Sequence, residues 1–184
     1  MIGIIIVGAV ALALIAWVIG TYNGLIKGKN LVEEAFSTMD VYLKKRFDLI
    51  PNLVETVKGY AKHEKETLEA VISARNAAGN ANSMADRIQN EAALSGAIRN
   101  IFALAENYPD LKANSSFLDL QGQLRGVEED IANSRKYYNG VVRNFNDKVM
   151  MFPSSIVAGM FHFEKQPMFE VADAAERENV KVSF

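Results

Sequence analysis

The residue types that most often perform chemistry are scarce in this sequence, which has two histidines and no cysteine in 184 residues. His63-Glu64 matches the first half of the His-Glu-x-x-His zinc motif, but Thr67 stands where that motif needs its second histidine. Helical bundles that bind two iron ions use Glu-x-x-His, and the positions three before the two histidines hold Tyr60 and Gly159. Without cysteine, the chain has no disulfide, thiol nucleophile or cysteine-bound metal. We therefore expect no catalytic residue, no metal site and no cofactor.

Serine and charged clusters offer no clearer reaction site. No serine lies in the Gly-x-Ser-x-Gly sequence that exposes a nucleophile in hydrolases. Glu64, Glu66 and Glu69 interleave with Lys62 and Lys65, a pattern typical of a solvated helix face with ion pairs between neighbouring turns. The formal net charge of −2 provides no broad basic field for nucleic acid. We expect neither a small-molecule substrate nor a nucleic-acid partner.

One short basic cluster, Lys44-Lys45-Arg46, has two interpretations. Basic residues near a membrane can contact anionic lipid headgroups. The same cluster can also be a solvated face that keeps the domain soluble, and we favour this second interpretation.

The N-terminal segment carries no charged side chain before Lys27, and residues 1–20 are apolar or glycine. A helix of about 20 apolar residues is about 30 Å long, which matches the hydrocarbon core of a bilayer. A cleaved secretory signal is the alternative, but no basic residue precedes the apolar run and Ile19-Gly20-Thr21-Tyr22 is a poor cleavage site. We predict an uncleaved transmembrane anchor over residues 1–26.

The flanks of the anchor predict its orientation. Lys27 and Lys29 follow the apolar run, while only the α-amino group lies beyond its other end. Lysine and arginine favour the cytoplasmic side of a membrane, so the N-terminus should be outside and residues 27–184 should form a cytoplasmic domain. Trp17 and Tyr22 stand where an aromatic belt would meet the inner membrane interface.

Small residues recur at every fourth position of the anchor: Ala16, Gly20, Gly24 and Gly28. Such a stripe allows two membrane helices to approach closely, which predicts anchor-helix packing and a homo-oligomer. Alternatively, Gly24 and Gly28 only loosen the chain beside the membrane, because glycine disfavours helix. The two interpretations are evenly matched on this evidence.

The rest of the chain has a helical period. Apolar residues recur at three- and four-residue steps from Asn30 through Ile72, so we predict one long helix, about 75 Å if it runs from Lys29 to Ala78. Pro51 should kink or divide it near residues 49–50. Ser83-x-x-Asp86 and Ser116-x-x-Asp119 have the form of capping boxes that begin the second and third helices.

The third helix should end before Pro153, with a short helix over residues 154–160 and a last turn over residues 172–177. Its apolar residues repeat near a seven-residue spacing, as in coiled coils. No strand or hairpin pattern is present. The prediction is an all-α protein, a single transmembrane helix continuing into a long antiparallel cytoplasmic bundle of three to four main helices.

Aromatic residues followed by asparagine occur twice on the third helix, as Tyr138-Asn139 and Phe145-Asn146. A buried amide must find a hydrogen-bond partner, so these pairs should fix the register of neighbouring helices. A second aromatic segment, Met160 to Phe163 with Met168-Phe169, has two possible roles. It either caps the end of the bundle or is exposed as a docking patch.

Several segments together resemble the LemA family, and the resemblance covers nearly everything after the anchor. The most specific are the Asp48-to-Val54 block, Asp-Leu-Ile-Pro-Asn-Leu-Val, and the Tyr108-to-Asn114 block, Tyr-Pro-Asp-Leu-Lys-Ala-Asn. Two positions depart mildly from the family pattern, with Phe36 in place of tryptophan and Phe145-Asn146 in place of Tyr-Asn. The resemblance implies a bacterial single-pass inner-membrane protein with an outside N-terminus and a cytoplasmic antiparallel helical bundle. It implies no accepted catalytic activity, cofactor or substrate.

These observations predict a non-enzymatic membrane-anchored scaffold that self-associates through its anchor and bundle, with membrane lipid as one partner. The alternative is an adaptor that presents the bundle to another membrane or soluble protein. An enzyme is the least favoured interpretation, because no catalytic group of residues is recognisable.

Overall fold

The computed structural model describes residues 1–81 and 83–169, and these residues form six helices and no strand. This confirms the all-α prediction. The expected turn at residues 172–177 lies outside the described residues. The helices are α1 (Ile2–Tyr60), α2 (Lys65–Gly79), α3 (Met84–Ala105), α4 (Pro109–Lys112), α5 (Ser115–Met150) and α6 (Ser154–Met160).

The described residues group into two compact units, and both α1 and α5 contribute to each of them. The first unit comprises Met1–Thr38 and Ser134–Met168. The second unit comprises Met39–Asn133 and, among the described residues, Phe169. The predicted boundary between anchor and domain after residue 26 stays a prediction.

Helix α1 begins with a segment in which no residue is buried. Residues 1–17 are all exposed, and the first buried side chain is Leu25. This is the one helix among the described residues that is long and apolar enough to cross a membrane. An apolar helix that packs against no other part of the chain needs another apolar environment to cover it.

Pro51 does not divide α1, which is continuous through it for 59 residues. The prediction of a division at this point is therefore wrong, while the predicted kink is untested. A proline has no N–H, so the carbonyl of Phe47, four residues earlier, loses its normal partner in the helix. Arg75 replaces that donor, because its Nε lies 3.0 Å from the Phe47 oxygen. Its guanidinium also lies over the Phe47 ring, 3.6 Å from the ring centroid.

The predicted extension of the first long helix to Ala78 is wrong, because the chain turns at residues 61–64 between α1 and α2. In a straight helix, residues 47 and 75 would be about 42 Å apart, whereas here Arg75 contacts Phe47. Buried Ala61 and Leu68 are seven residues apart, or two helical turns, so the apolar spacing does not reveal the turn.

Glu64, which we expected on a solvated face, lies at this turn and accepts a hydrogen bond from another part of the chain. The hydroxyl of Tyr108 donates a hydrogen bond of 2.8 Å to its carboxylate, and this bond raises the pKa of Tyr108. The neighbouring pair Lys65–Glu69 does form an ion pair between adjacent turns, at 3.6 Å, as expected.

In the second unit, α1, α2, α3 and α5 alternate in direction. Phe47 pairs with Arg75, and Asn90 of α3 donates to the Ala77 carbonyl of α2 at 2.9 Å. Phe102 of α3 contacts Phe117 near the start of α5, with ring centroids 6.1 Å apart. The turn at residues 61–64 thus supplies the fourth helix of an up-down bundle. The core of this unit contains Ile50, Leu53, Val57, Leu68, Val71, Leu94, Ile98, Ile101, Leu111, Phe117 and Leu124.

Of the two serines predicted to cap helices, Ser83 is confirmed as a cap. The hydroxyl of Ser83 accepts a 3.1 Å hydrogen bond from the backbone of Asp86 at the start of α3. Helix α5 begins at Ser115 instead, and Asn114 caps it by accepting from the Phe117 backbone at 2.9 Å. The predicted cap at Ser116 is wrong because Asn114, an equally good capping residue, precedes it.

In the first unit, α5 runs antiparallel to α1. The rings of Phe36 and Tyr138 are 6.0 Å apart, and a Cβ on Gly28 would lie 3.0 Å from Phe145. Gly28 therefore allows a close approach between the two helices that a larger residue would disturb. After Met150, α6 returns the chain toward α1 and buries Val157 and Ala158.

The role assigned to Arg75 predicts a coupling with Pro51. Arg75→Met should cost about 1–2 kcal/mol of unfolding free energy, because a part-buried carbonyl loses its donor. In a Pro51→Ala background the cost should be about 1 kcal/mol smaller, because residue 51 then supplies its own N–H. Denaturant unfolding followed by circular dichroism measures the four variants. Equal costs in both backgrounds would contradict the assignment, and Arg99→Met, an exposed arginine on α3, is the control.

Candidate functional site

The most concentrated group of charges in the second unit surrounds Arg46, whose side chain is completely buried. One of its terminal nitrogens, Nη1, donates to Ser95 Oγ at 2.6 Å and to the Glu128 carboxylate. The other, Nη2, donates to the Glu91 carboxylate and to the Glu91 carbonyl at 3.3 Å. Arginine stays ionised in proteins, so its burial requires carboxylates on both sides. The group joins α1, α3 and α5.

A second arginine extends this group toward the surface. Arg87 Nε donates to Glu91 at 3.0 Å, and Arg87 Nη2 donates to Asp40 at 2.7 Å. Asp40, Arg87, Glu91, Arg46 and Glu128 therefore alternate in charge, and we call these five residues the charge ladder. Because each arginine is already held by two carboxylates, the charge ladder is a structural connection between helices.

The buried position of Arg46 corrects the interpretation of the basic cluster at residues 44–46. Lys44 and Lys45 are exposed, and Lys44 pairs with Asp48 at 2.6 Å. Arg46 instead occupies the apolar stripe between Leu43 and Ile50, where no solvent reaches it. The sequence signal for this site was a charged residue, Arg46, at a position where the helical period of α1 calls for an apolar residue. Sequence reasoning missed it because the three basic residues are adjacent.

Beside the charge ladder, a pocket of about 380 Å³ opens between α3 and α5. Its apolar side is formed by Ile98 and Phe102. Arg99 and Arg125 are exposed there, and no described carboxylate forms an ion pair with either. Two such guanidinium groups beside an apolar wall suit a partner that carries an anionic group next to apolar atoms. Neither arginine stands in a sequence pattern that marks it as a site residue. The remaining lining residues are Ser95, Gln121 and Glu128.

An aromatic cluster occupies the part of the first unit where α1 becomes buried. The ring of Tyr22 lies 4.7 Å from that of Phe161 and 5.8 Å from that of Phe163. Phe163 also meets Phe145, at 6.5 Å. His162 has a left-handed backbone, with φ of 56°, which ends α6 and turns Phe163 back toward α1. The cluster attaches α6 and the following segment to α1.

Tyr138 and Asn146 hold the segment that follows α6. The Tyr138 hydroxyl donates to the Pro167 carbonyl at 2.9 Å. Asn146 bonds the backbone of Gln166 twice, accepting at 2.8 Å and donating at 2.9 Å. The amide of Asn146 thus has its partner in a returning segment rather than in a neighbouring helix. Burial raises the pKa of Tyr138 to about 12.

The anchor residues singled out in the sequence lie in different surroundings. Ala16 and Gly20 are exposed, and no atom lies within 4 Å of a Cβ built on Gly20 or Gly24. Gly28 instead faces Phe145 of the same chain. Whether the stripe packs against a second anchor stays a prediction.

The predicted membrane-interface residues are placed as follows. Trp17 is 37% exposed, Tyr22 belongs to the aromatic cluster, and Lys27 and Lys29 are exposed. Asn139, the remaining candidate for helix register, is half-buried on α5. In the C-terminal aromatic segment, Phe169 is buried whereas Met160 and Phe161 are exposed, and a docking role for the exposed part stays a prediction.

Comparison with known proteins identifies a family and a relative. The sequence model of the LemA family matches residues 35–184. Protein LemA of Metamycoplasma hominis is 27% identical over 170 residues, which cover 89% of this chain and 74% of that protein.

The charge ladder predicts a large difference between adjacent basic residues. Arg46→Met should lower the free energy of unfolding by about 3 kcal/mol or more, because it leaves Glu91 and Glu128 without their shared partner. Lys45→Met should change it by less than about 0.5 kcal/mol, since Lys45 is exposed. Denaturant unfolding of the full chain in detergent compares the two. Similar costs for both variants would contradict the role of Arg46.

The raised pKa of Tyr138 predicts an alkaline destabilisation. Between pH 10 and 12 the unfolded chain loses this phenol proton while the folded chain keeps it, so folding stability falls as pH rises. Tyr138→Phe should weaken this pH dependence while costing about 1 kcal/mol at neutral pH, where the Pro167 carbonyl loses its donor. Thermal unfolding across this pH range tests it. Tyr137→Phe controls for the loss of an exposed phenol on the same helix, and an unchanged profile in Tyr138→Phe would refute the prediction.

Proposed function

The chain belongs to the LemA family, and we propose that it is a non-enzymatic, single-pass membrane scaffold that self-associates. One observation carries this proposal: every residue from Met1 to Trp17 is exposed, and no charged side chain precedes Lys27. In water, an apolar surface of this length would be costly to expose. A bilayer covers it without any partner protein.

The direction of insertion follows from the charges beside the anchor. Lys27 and Lys29 are exposed at the end where α1 joins the rest of the first unit. Since lysine favours the cytoplasmic side, we propose an outside N-terminus and a cytoplasmic helical domain at a bacterial inner membrane.

Self-association is supported by the open part of the small-residue stripe. Ala16, Gly20 and Gly24 lie on one face of α1, and neither glycine is approached by another part of the chain. A second anchor helix can come close to this face and gain packing that lipid chains do not supply. Because Gly28 already packs on Phe145, the contact between anchors would involve the first three positions of the stripe.

This proposal predicts that bulky residues on the stripe dissociate the protein. Gly20→Ile with Gly24→Ile should shift the full chain toward monomers in nanodiscs or mild detergent, because the β-branched side chains keep two helices apart. Native mass spectrometry or mass photometry measures the change.

Gly8→Ile is the matched control, because a Cβ on Gly8 would likewise meet no other part of the chain, but Gly8 lies roughly 120–160° around the helix from the two stripe glycines. It should retain the wild-type mass distribution. An unchanged distribution in the double variant would remove the anchor contact from the account.

A second candidate function is an adaptor, and the pocket between α3 and α5 favours it. Arg99 and Arg125 beside the apolar wall of Phe102 suit an acidic segment of another protein. A photocrosslinker at Gln121 of the full chain in native membranes tests this role. The adaptor predicts a crosslink to a second polypeptide that is lost in Arg99→Ala with Arg125→Ala and kept in Lys45→Ala. Crosslinks to the same chain alone would contradict it.

A further inference from the structure

The corner between α5 and α6 carries an apolar surface that the bundle leaves uncovered. No Asp, Glu, Lys or Arg occurs between Lys148 and Glu164. Within that segment Phe152 is 81% exposed, and five further large apolar side chains are also exposed. The set comprises Met150, Met151, Phe152, Ile156, Met160 and Phe161. A set of exposed large apolar side chains of this kind on a folded domain normally marks an interaction surface.

Contacts within the first unit place this corner beside the part of α1 where the exposed segment of that helix ends. Phe36 lies beside Tyr138, and Gly28 lies beside Phe145, so advancing along α5 corresponds to moving back along α1. Met150 is five residues beyond Phe145 and therefore lies level with about Asn23 on α1. The contact of Phe161 with Tyr22, at 4.7 Å, independently gives the same level.

The length of the anchor places a membrane surface at this level. About 20 helical residues cross the hydrocarbon core, so a bilayer that begins at Ile2 ends near Thr21. Tyr22, with the exposed methionines and phenylalanines of the corner, then lies in the interface between acyl chains and headgroups. Lys148 and Lys165 are exposed on either side of the patch, together with Glu164, so charged groups begin where the apolar surface ends. Amphipathic segments that lie in a membrane surface have this arrangement.

We infer that the α5–α6 corner is a second membrane contact, which inserts into the lipid leaflet from which α1 emerges. Its ligand is the lipid surface itself, at the boundary of acyl chains and headgroups. This inference rests on the proposed anchoring of α1, and it adds a second point of attachment. Two separate contacts fix the first unit against the bilayer, whereas a single helix would leave it free to rotate and tilt.

Single spin labels on the full chain in vesicles of phosphatidylethanolamine and phosphatidylglycerol test the inference. The chain contains no cysteine, so Met151→Cys or Phe152→Cys gives a unique label, and both positions are exposed enough to leave the fold intact. Leu12→Cys reports the anchor. Tyr137→Cys is the matched control, because Tyr137 is an exposed aromatic residue on α5 about 20 Å before the corner.

Accessibility to oxygen, which concentrates in lipid, is compared with accessibility to a water-soluble nickel complex. The quantity compared is the ratio of oxygen accessibility to nickel accessibility. The inference predicts that this ratio at positions 151 and 152 is several-fold above the ratio at 137 and below the ratio at 12. A ratio at 151 and 152 equal to that at 137, with position 12 in lipid, would overturn the second contact and leave the anchor intact. Shielding of 151 and 152 from both reagents would show a protein partner at the patch and also overturn the lipid contact. A ratio at position 12 as low as that of a site exposed to water would overturn the anchoring itself.

Discussion

The uncharged, fully exposed surface of α1 between Ile2 and Trp17 is the constraint from which the organisation of the first unit follows. Such a surface requires an apolar environment. Burial within the chain begins only at Leu25, after the aromatic contacts of Tyr22, and charged side chains begin at Lys27. The exposed phenylalanine and methionines of the α5–α6 corner lie at this same level. Apolar, aromatic and charged residues are thus ordered along α1 as they are across a bilayer interface.

The second unit depends instead on a buried charge. A buried guanidinium needs hydrogen-bond acceptors, and the helices around Arg46 supply Glu91, Glu128 and Ser95 at fixed positions. Apolar packing alone would tolerate small shifts between α1, α3 and α5, while hydrogen bonds to one guanidinium do not. We regard the charge ladder as a device for helix register. Both terminal nitrogens of Arg46 donate to residues of the neighbouring helices, so the guanidinium is held from two sides.

Much of this fold is readable from the sequence because the signals are local. The length of the apolar run predicts the exposed part of α1, and Ser83 with Asp86 predicts the start of α3. The turn at residues 61–64 is not readable, since Ala61 and Leu68 keep the spacing of a continuous helix. Arg75 is not readable either, because its partner is the distant Phe47 carbonyl that Pro51 leaves without a donor. The position of Arg46 in the apolar stripe marks it as unusual, but its carboxylate partners on α3 and α5 are not readable. Long-range partners of this kind leave no trace in local periodicity.

The chain is a helical bundle of the LemA family with one helix that is long and apolar enough to cross a membrane, and the function we propose for it is that of a membrane scaffold. A scaffold that self-associates must exist in the membrane as more than one copy. The most direct measurement is the mass of the wild-type full chain extracted in native nanodiscs, without detergent dissociation. The account predicts assemblies at whole-number multiples of the 20.3 kDa chain. A population that contains only single chains at native abundance would contradict it.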